Sequence, residues 1–501
     1  MSSTALIISF PNFDLWFLAW FALVPLLVLV GRGMRPWPAF FVGWLFGSVF
    51  FYGTCYWLTY SMIHFGGIPA WIAYPMLAPG AIVLGLFPGF FLVILARAVR
   101  SWGHIALLLA PIIWASMEWM RLGVTGQLWN AIGYSLAFQT NLIQVARYGG
   151  VYAVGFVLVM VNALSAYVVI KNRLRATAVS ALLLLIVCAV VLLTDRGVPP
   201  LQSAPGDAIV VAIQPNVPMS LVKSTEEMTS LNTRHFEMSA AALAGLENDG
   251  SPRLLVWPES PMNFTYGKDT FLRERLKQFA ELHQTSILLN SQEAAPNEGI
   301  YNSAVLVNQQ GSLVSQYDKI RLLPFGEYVP LPQWLPGAGL IRGIVGDFTP
   351  GTNYPLMTVG NVRIGVFICI ESAYPNIPRQ FAHDGADVLV NISNDGYLGP
   401  TAVLRQHLAN AVFRAVENNR PVLRVTNTGI TALILPNGEV KDATVPFKED
   451  VRIWKVNATT HPPTFYARHG DLFAMICGAL TLIILILSFA KFGRTTTKQR
   501  L

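Results

Sequence analysis

The sequence predicts a polytopic α-helical membrane domain joined to an α/β soluble domain. Three observations carry that reading. The 501 residues are 53% hydrophobic and only 13% charged, with a mean hydropathy of +0.47. This balance excludes both an ordinary soluble enzyme and a disordered chain. The first 193 residues and the last 30 gather their apolar side chains into runs close to the ~20 residues that cross a bilayer's hydrocarbon. Between them, short β-rich runs alternate with helical periodicity.

In chain order, Thr4–Ser9 is apolar but too short to cross, and Pro11 follows it. No basic stretch precedes it and no small-residue cleavage site follows, so it reads as the stub of a span rather than a signal peptide. Spans are expected at about Leu15–Val30, Ala39–Tyr60, Trp71–Ala96, Ile105–Met120, Gly150–Ile170, Ala176–Leu193 and Leu472–Ala490. The net charge of +7 does not indicate nucleic acid, because much of the basic excess flanks these runs: Arg32 and Arg35, Arg97 and Arg100, Lys171 with Arg173 and Arg175, and Lys491, Arg494, Lys498 and Arg500. Placing every cluster in the cytoplasm is self-consistent and puts Asp195 to about Asp471 outside. The expected domains are a helical bundle at 1–194, a Pro/Ser/Gly-rich linker at 195–206, an extracytoplasmic domain at 207–470, a closing helix at 471–490 and a basic cytoplasmic tail at 491–501.

Strands are expected at Ala208–Gln214, Leu254–Trp257, Ser286–Asn290, Ala304–Asn308, Val362–Ile368, Val388–Ile392, Val422–Thr426 and Ala432–Leu435. Helices are expected at Glu226–Leu246, Phe271–His283, Ile377–Asp384 and Val403–Asn418. Of the four cysteines, Cys55, Cys188 and Cys477 fall in apolar runs, which leaves Cys369 as the only thiol of the soluble part. It ends the β-rich run Ile364–Ile368. Glu259 in WPES and Lys319 in YDKIRLLPFGEYVP also follow short strand-like runs, where α/β folds collect their chemistry.

Acyl transfer through a thioester needs a thiolate, a base to make it, and a donor facing the carbonyl oxygen. Glu259 could take the proton of Cys369. Lys319 and the backbone N–H of Ile370 could face the oxyanion, and Glu327 could hold the lysine or complete the proton relay. Each also has a structural reading: a lone buried cysteine is ordinary packing, WPES can be a capped turn, and Lys319 can simply pair with Asp318 or Glu327. No His/Cys spacing resembles a zinc site and no glycine-rich loop resembles a nucleotide cradle, so no metal or cofactor is expected. Glu118 and Arg121, one helical turn apart at a membrane boundary, form a functional or a structural bridge. His383 and His407 read as surface or satisfied histidines.

The order Glu–Lys–Cys, each residue at a strand end, resembles the nitrilase superfamily and its αββα sandwich. With membrane helices on both sides, the likeness narrows to the apolipoprotein N-acyltransferase family. It runs along nearly the whole chain, through FDLW, FGG at Phe65–Gly67, EWMR at Glu118–Arg121, IGYS at Ile132–Ser135, GGVY at Gly149–Tyr152, QPNVP, WPES, LLPFGEYVP, ICIES, ISNDGY and RVTNTGITALI. The resemblance implies a multi-pass protein of the bacterial cytoplasmic (inner) membrane with its catalytic domain on the periplasmic side. It implies a phospholipid acyl donor, a diacylated apolipoprotein acceptor, Cys369 as nucleophile, Glu259 as base, Lys319 as oxyanion partner, and Glu327 and Glu371 as supporting carboxylates. The chain departs from the family pattern at Ile370, where the family has tyrosine, at Val222 and Lys223, where an aromatic is common, and at Tyr397 and Leu398, where a tryptophan–phenylalanine pair is usual.

The stretch Leu322–Val345 is long, apolar and proline-broken, which in a compact domain marks function. It reads as a lid resting on the outer leaflet that admits an acyl chain from the bilayer, with Trp334 at the headgroup level, Leu335 and Ile341 among its apolar side chains and Tyr397 as a further substrate-binding residue; the alternative is a cover over the sandwich core. Two other functions compete with the acyltransferase: a membrane-tethered amidase that uses water as acceptor, and a catalytically idle lipoprotein-binding scaffold.

Overall fold

The computed structural model describes residues 1–171, part of 178–193, 208–220, 223–247, 249–296, 298–324, 326–329, 348–459 and 461–498. The chain forms two compact units, one of Met1–Pro199, Thr401–Glu417 and Thr464–Leu501, the other of Pro200–Pro400 and Asn418–Pro463. The helix Val403–Asn418, counted above with the soluble segment, therefore groups with the apolar helices as far as Glu417.

Among the described residues of the first unit, four helices are long and apolar enough to cross a membrane: Ala70–Trp102, His104–Thr125, Ala146–Lys171 and Leu472–Lys491. A bent pair, Pro36–Thr54 and Leu58–His64, meets the same test as a fifth, with a 52° break between its halves. These match five of the expected spans. Leu15–Val30 is different. It breaks into a 3-10 turn, Trp16–Trp20, and a short helix, Val24–Gly31. Pro25 lacks an N–H and belongs in a first turn, so it restarts the helix rather than continuing one. Buried Asn162 serves the broken backbone, accepting from Leu23 N–H at 2.9 Å and donating to the Ala19 carbonyl at 3.0 Å. Thr4–Ser9 lies in a short helix, Ser2–Ser9. The expected span Ala176–Leu193 lies largely outside the described residues, as does the linker 195–206.

Glu118 and Arg121 are both buried, and each holds backbone. Glu118 accepts from Ile132 N–H at 2.7 Å, and Arg121 donates to the Trp129 carbonyl at 2.8 Å. Their role in the described contacts is to clamp the segment between those residues.

Among its described residues the second unit carries two six-stranded sheets. The first contains β1 (Ala208–Gln214), β2 (Arg253–Val256), β3 (Ser286–Ala294), β4 (Ile300–Val307), β5 (Leu313–Asp318) and β12 (Asp450–Val456), in the order β12-β1-β2-β3-β4-β5. The second contains β6 (Leu356–Val359), β7 (Val362–Ile368), β8 (Val388–Ser393), β9 (Val422–Thr426), β10 (Ala432–Ile434) and β11 (Val440–Lys441), in the order β11-β10-β9-β8-β7-β6. Strands β1–β2–β3 and β7–β8–β9 run parallel at the two centres. Such strands are buried on both faces and read as continuous apolar runs, which is why AIVVAIQ and VRIGVFI were visible in the sequence. One sheet meets the other where β1 faces β9 and β4 faces β7. The outer face of the first sheet is covered by Thr225–Ala244 and Thr270–His283, through a core of Val211, Leu231, Phe236, Trp257, Leu276 and Ile287. Asn376–His383 packs on β7 and β8. Stacked as helix, sheet, sheet and helix, the unit has the expected αββα architecture.

Candidate active site

Glu259, Lys319 and Cys369 each follow the C-terminal end of a strand: β2, β5 and β7. Trp257 N–H donates to Leu288 O at 2.8 Å, which continues the β2–β3 pairing one residue and releases the chain at Pro258. The backbone of Lys319 is pinned on both sides. Its N–H donates to Asn302 O at 2.8 Å and its carbonyl accepts from Gly351 N–H at 2.9 Å. Gly351 is required there, because a Cβ would collide with the Asp318 carbonyl. Cys369 begins a 3-10 turn, Cys369–Ala373, with φ at +51°. A left-handed φ on a non-glycine residue is sparsely populated and persists only where its surroundings enforce it. Ile370 lies in the first residues of this turn, where helical geometry leaves an N–H unused by the turn's own carbonyls, and its N–H can face a ligand.

The side chains converge on the ammonium of Lys319, which is 1% exposed. Its Nζ lies 2.8 Å from Oε1 of Glu327 and 3.7 Å from Oε1 of Glu259. Asn302, on β4, bridges the two acids, donating from Nδ2 to Glu327 Oε1 at 2.7 Å and to Glu259 Oε1 at 3.0 Å. Its own Oδ1 accepts from Asn290 at 2.7 Å. The second oxygen of Glu259 accepts from Asn394 N–H at 3.1 Å, and that of Glu327 from Leu323 N–H at 2.7 Å. Every carboxylate oxygen here therefore has a donor, as a buried charge requires.

Electrostatics divide the roles. Burial would depress Lys319, but Glu327 and then Glu259 outweigh it and hold its pKa above the ordinary lysine value. It remains a cation. Burial, followed by the charge of Glu259, pushes the Cys369 thiol well above the usual cysteine range, while Lys319 pulls it back. At rest the sulfur is therefore a neutral thiol, and a base would have to take its proton for it to act as a nucleophile. Glu371 is fully buried and accepts from Tyr317 Oη at 2.8 Å, Ile320 N–H at 2.8 Å, Arg321 N–H at 3.0 Å and Ile368 N–H at 2.7 Å. It ties the segment after Lys319 to the entry of the Cys369 turn. Burial raises its pKa to about 7 against those donors.

The structure thus gathers Glu259, Lys319, Glu327, Cys369 and Glu371 in one place. Tyr397 is half-buried in the 3-10 turn Gly396–Leu398, which follows Asn394 and Asp395. Trp334, Leu335 and Ile341 lie outside the described residues. His407 is buried against Trp129, their rings 5.6 Å apart, and His383 ends a helix. Sequence reasoning missed Asn302, Asn394 and Tyr317. Asn302 faces the site only because β4 pairs with β3 and β5, a register that no local signal reveals. Asn394 lies in the quoted ISNDGY motif but acts through its backbone N–H.

Two family models match the chain. One, the apolipoprotein N-acyltransferase N-terminal domain, covers residues 2–164, and the other, carbon-nitrogen hydrolase, covers residues 238–461. Among curated relatives, the apolipoprotein N-acyltransferase of Geobacter metallireducens is 32% identical over 98% of this chain and 94% of its own length. That of Rhizobium etli is 31% identical over 81% of this chain and 78% of its own. That of Thermotoga maritima is 29% identical over 96% and 91%. With relatives matched across both units, the chain belongs to the apolipoprotein N-acyltransferase family.

Proposed function

We propose that this acyltransferase moves an acyl chain from a phospholipid to the free α-amine of a diacylglyceryl-cysteine apolipoprotein, through a thioester on Cys369, with Glu259, Lys319 and Cys369 as its catalytic triad. The carrying observation is the fixed lysine cation at the end of β5, held by two carboxylates and interacting electrostatically with the cysteine thiol. In the first half-reaction Glu259 takes the thiol proton as sulfur attacks the ester carbonyl. Lys319 and the N–H of Ile370 stabilise the oxyanion. The C–O bond then breaks, and the proton on Glu259 passes to the leaving lysophospholipid alkoxide. In the second half the acceptor amine attacks the thioester. A new C–N bond forms as the C–S bond breaks, and Glu259 relays the amine's proton back to the thiolate. The neutral resting thiol suits this scheme, since the proton that Glu259 takes from it on attack is the one passed to the leaving alkoxide.

The same reading places the protein in the bacterial cytoplasmic membrane with the second unit on the periplasmic side, where lipoproteins are matured. It is supported by the basic residues that flank alternate apolar runs. Purified full-length protein incubated with acyl-labelled phospholipid and a diacylated lipopeptide should transfer label to the lipopeptide as an amide. Label released as free fatty acid would make the protein a hydrolase, and no transfer or release would make it a binding protein.

A further inference from the structure

Arg424 is fully buried on β9. Parallel pairing sets Phe367 of β7, Asn391 of β8 and Arg424 of β9 side by side in one row across three strands. Hydrogen bonds run along that row. Nη1 of Arg424 donates to Oδ1 of Asn391 at 2.5 Å, and Nδ2 of Asn391 donates to the carbonyls of Phe367 at 3.2 Å and Cys369 at 3.4 Å. The second carbonyl belongs to the residue held at φ +51°.

The other arm of the guanidinium goes elsewhere. Nη2 lies 2.7 Å from Oδ2 of buried Asp395, whose Oδ1 accepts from Ser393 Oγ at 3.3 Å. Asp395 follows Asn394, the residue whose N–H holds the second oxygen of Glu259. Gly429 closes over this pair, since a Cβ there would collide with Oδ2 of Asp395. A buried ion pair is weak evidence for stability, because the loss of hydration by both charges offsets their attraction. A planar fork, however, fixes two directions at once, which a point charge cannot do.

Resting on the assignment of Cys369 and Glu259 above, we propose that Arg424 is a positioning residue that sets the nucleophile turn against the base. One arm fixes the Cys369 carbonyl through Asn391, and the other fixes the loop that presents Asn394 N–H to Glu259. Asp395, the ion-pair partner of Arg424, is also one of the charges that act on the thiol. The charged groups facing Cys369 are Glu259, Lys319, Asp395 and Glu327, and Asp395 acts in the same upward direction as the other acids.

The test uses the full-length protein with two variants, Arg424→Met and Arg424→Met/Asp395→Asn. Two quantities are read: acyl-enzyme formation per folded molecule, and the pH profile of Cys369 alkylation by iodoacetamide, resolved by peptide mass spectrometry. In the single variant acylation falls roughly 10- to 100-fold, the scale on which misplaced reacting groups act, and the alkylation profile moves to higher pH. In the double variant the profile returns toward wild type, because the charge balance is restored, while acylation stays low, because the fork is still missing. If the single variant does not fold, the double variant decides alone. Wild-type acylation per folded molecule in the double variant, even with a lower melting temperature, assigns Arg424 to the scaffold and overturns the proposal. The alkylation arm needs no acyl donor. If the wild type forms no acyl-enzyme while the single variant still shifts the profile and the double variant restores it, the proposed reaction is refuted and the coupling of Arg424 and Asp395 to the Cys369 thiol stands.

Discussion

Replacing Asn302 with leucine tests the geometry of the site at a residue that does no chemistry itself. The substitution is close to isosteric and removes both donations from Nδ2, at 2.7 Å to Glu327 and 3.0 Å to Glu259. Glu327 keeps Lys319 and Leu323 N–H, so it stays in place. Glu259 keeps Asn394 N–H on one oxygen, but its Oε1 is left with Lys319 alone, at 3.7 Å. One hydrogen bond to a charged group contributes ~1.5–3 kcal/mol. If the transition state needs Glu259 in that position, the loss slows acylation about 10- to 150-fold. Asn290 also loses a buried acceptor, so the melting temperature falls as well. Rapid quenching with phospholipid alone, read by intact mass, isolates the first half-reaction. A variant that folds less well but acylates at the wild-type rate would mean that Asn302 only packs the strand and that Glu259 is oriented by something else.

Other expectations follow from the same contacts. Glu259→Gln should cut acyl-enzyme formation by orders of magnitude with an unchanged melting temperature, whereas ordinary acylation would remove Glu259 from the reaction. Lys319→Ala should cost ~3–4 kcal/mol of transition-state stabilisation, the scale of one lost oxyanion donor, read as the drop in acylation rate. Glu371 gives a pH signature in stability. Its carboxyl binds its proton more tightly in the folded chain, at about 7, than at the ordinary glutamate value of 4.5, so that stabilisation is complete below 4.5 and is lost as pH rises through 7. The difference is about 3 kcal/mol. Thermal unfolding in detergent should show melting temperature falling from pH 5 to 8, with Glu371→Gln flattening that slope; an unchanged slope would mean another group titrates.

The parts legible in the sequence share a physical cause. Cys369 and Glu259 end buried parallel strands, whose continuous apolar runs need no partner to be recognised. β5, LVSQYD, is half-exposed and polar, so the strand that delivers Lys319 gave only a weak signal. β12, DVRIWKV, is charged and pairs antiparallel with β1, more than 200 residues earlier in the chain. Pairing over that distance leaves no local pattern to read. The same is true of Asn302 and Arg424, whose directions are set by register with neighbouring strands. Apolar length alone also hides a change of backbone inside Leu15–Val30, where a 3-10 turn, Trp16–Trp20, precedes the helix that Pro25 helps to start at Val24.

The central claim is that Cys369 carries the acyl chain. Intact protein incubated with phospholipid and no acceptor, then denatured and weighed, should gain the mass of one acyl group. Hydroxylamine should remove it, a diacylated lipopeptide should discharge it into an amide, and peptide mapping should place it on Cys369. Cys369→Ala should show no gain. An acyl adduct that persists in the alanine variant, or amide product formed without any adduct on Cys369 in the wild type, would contradict the account.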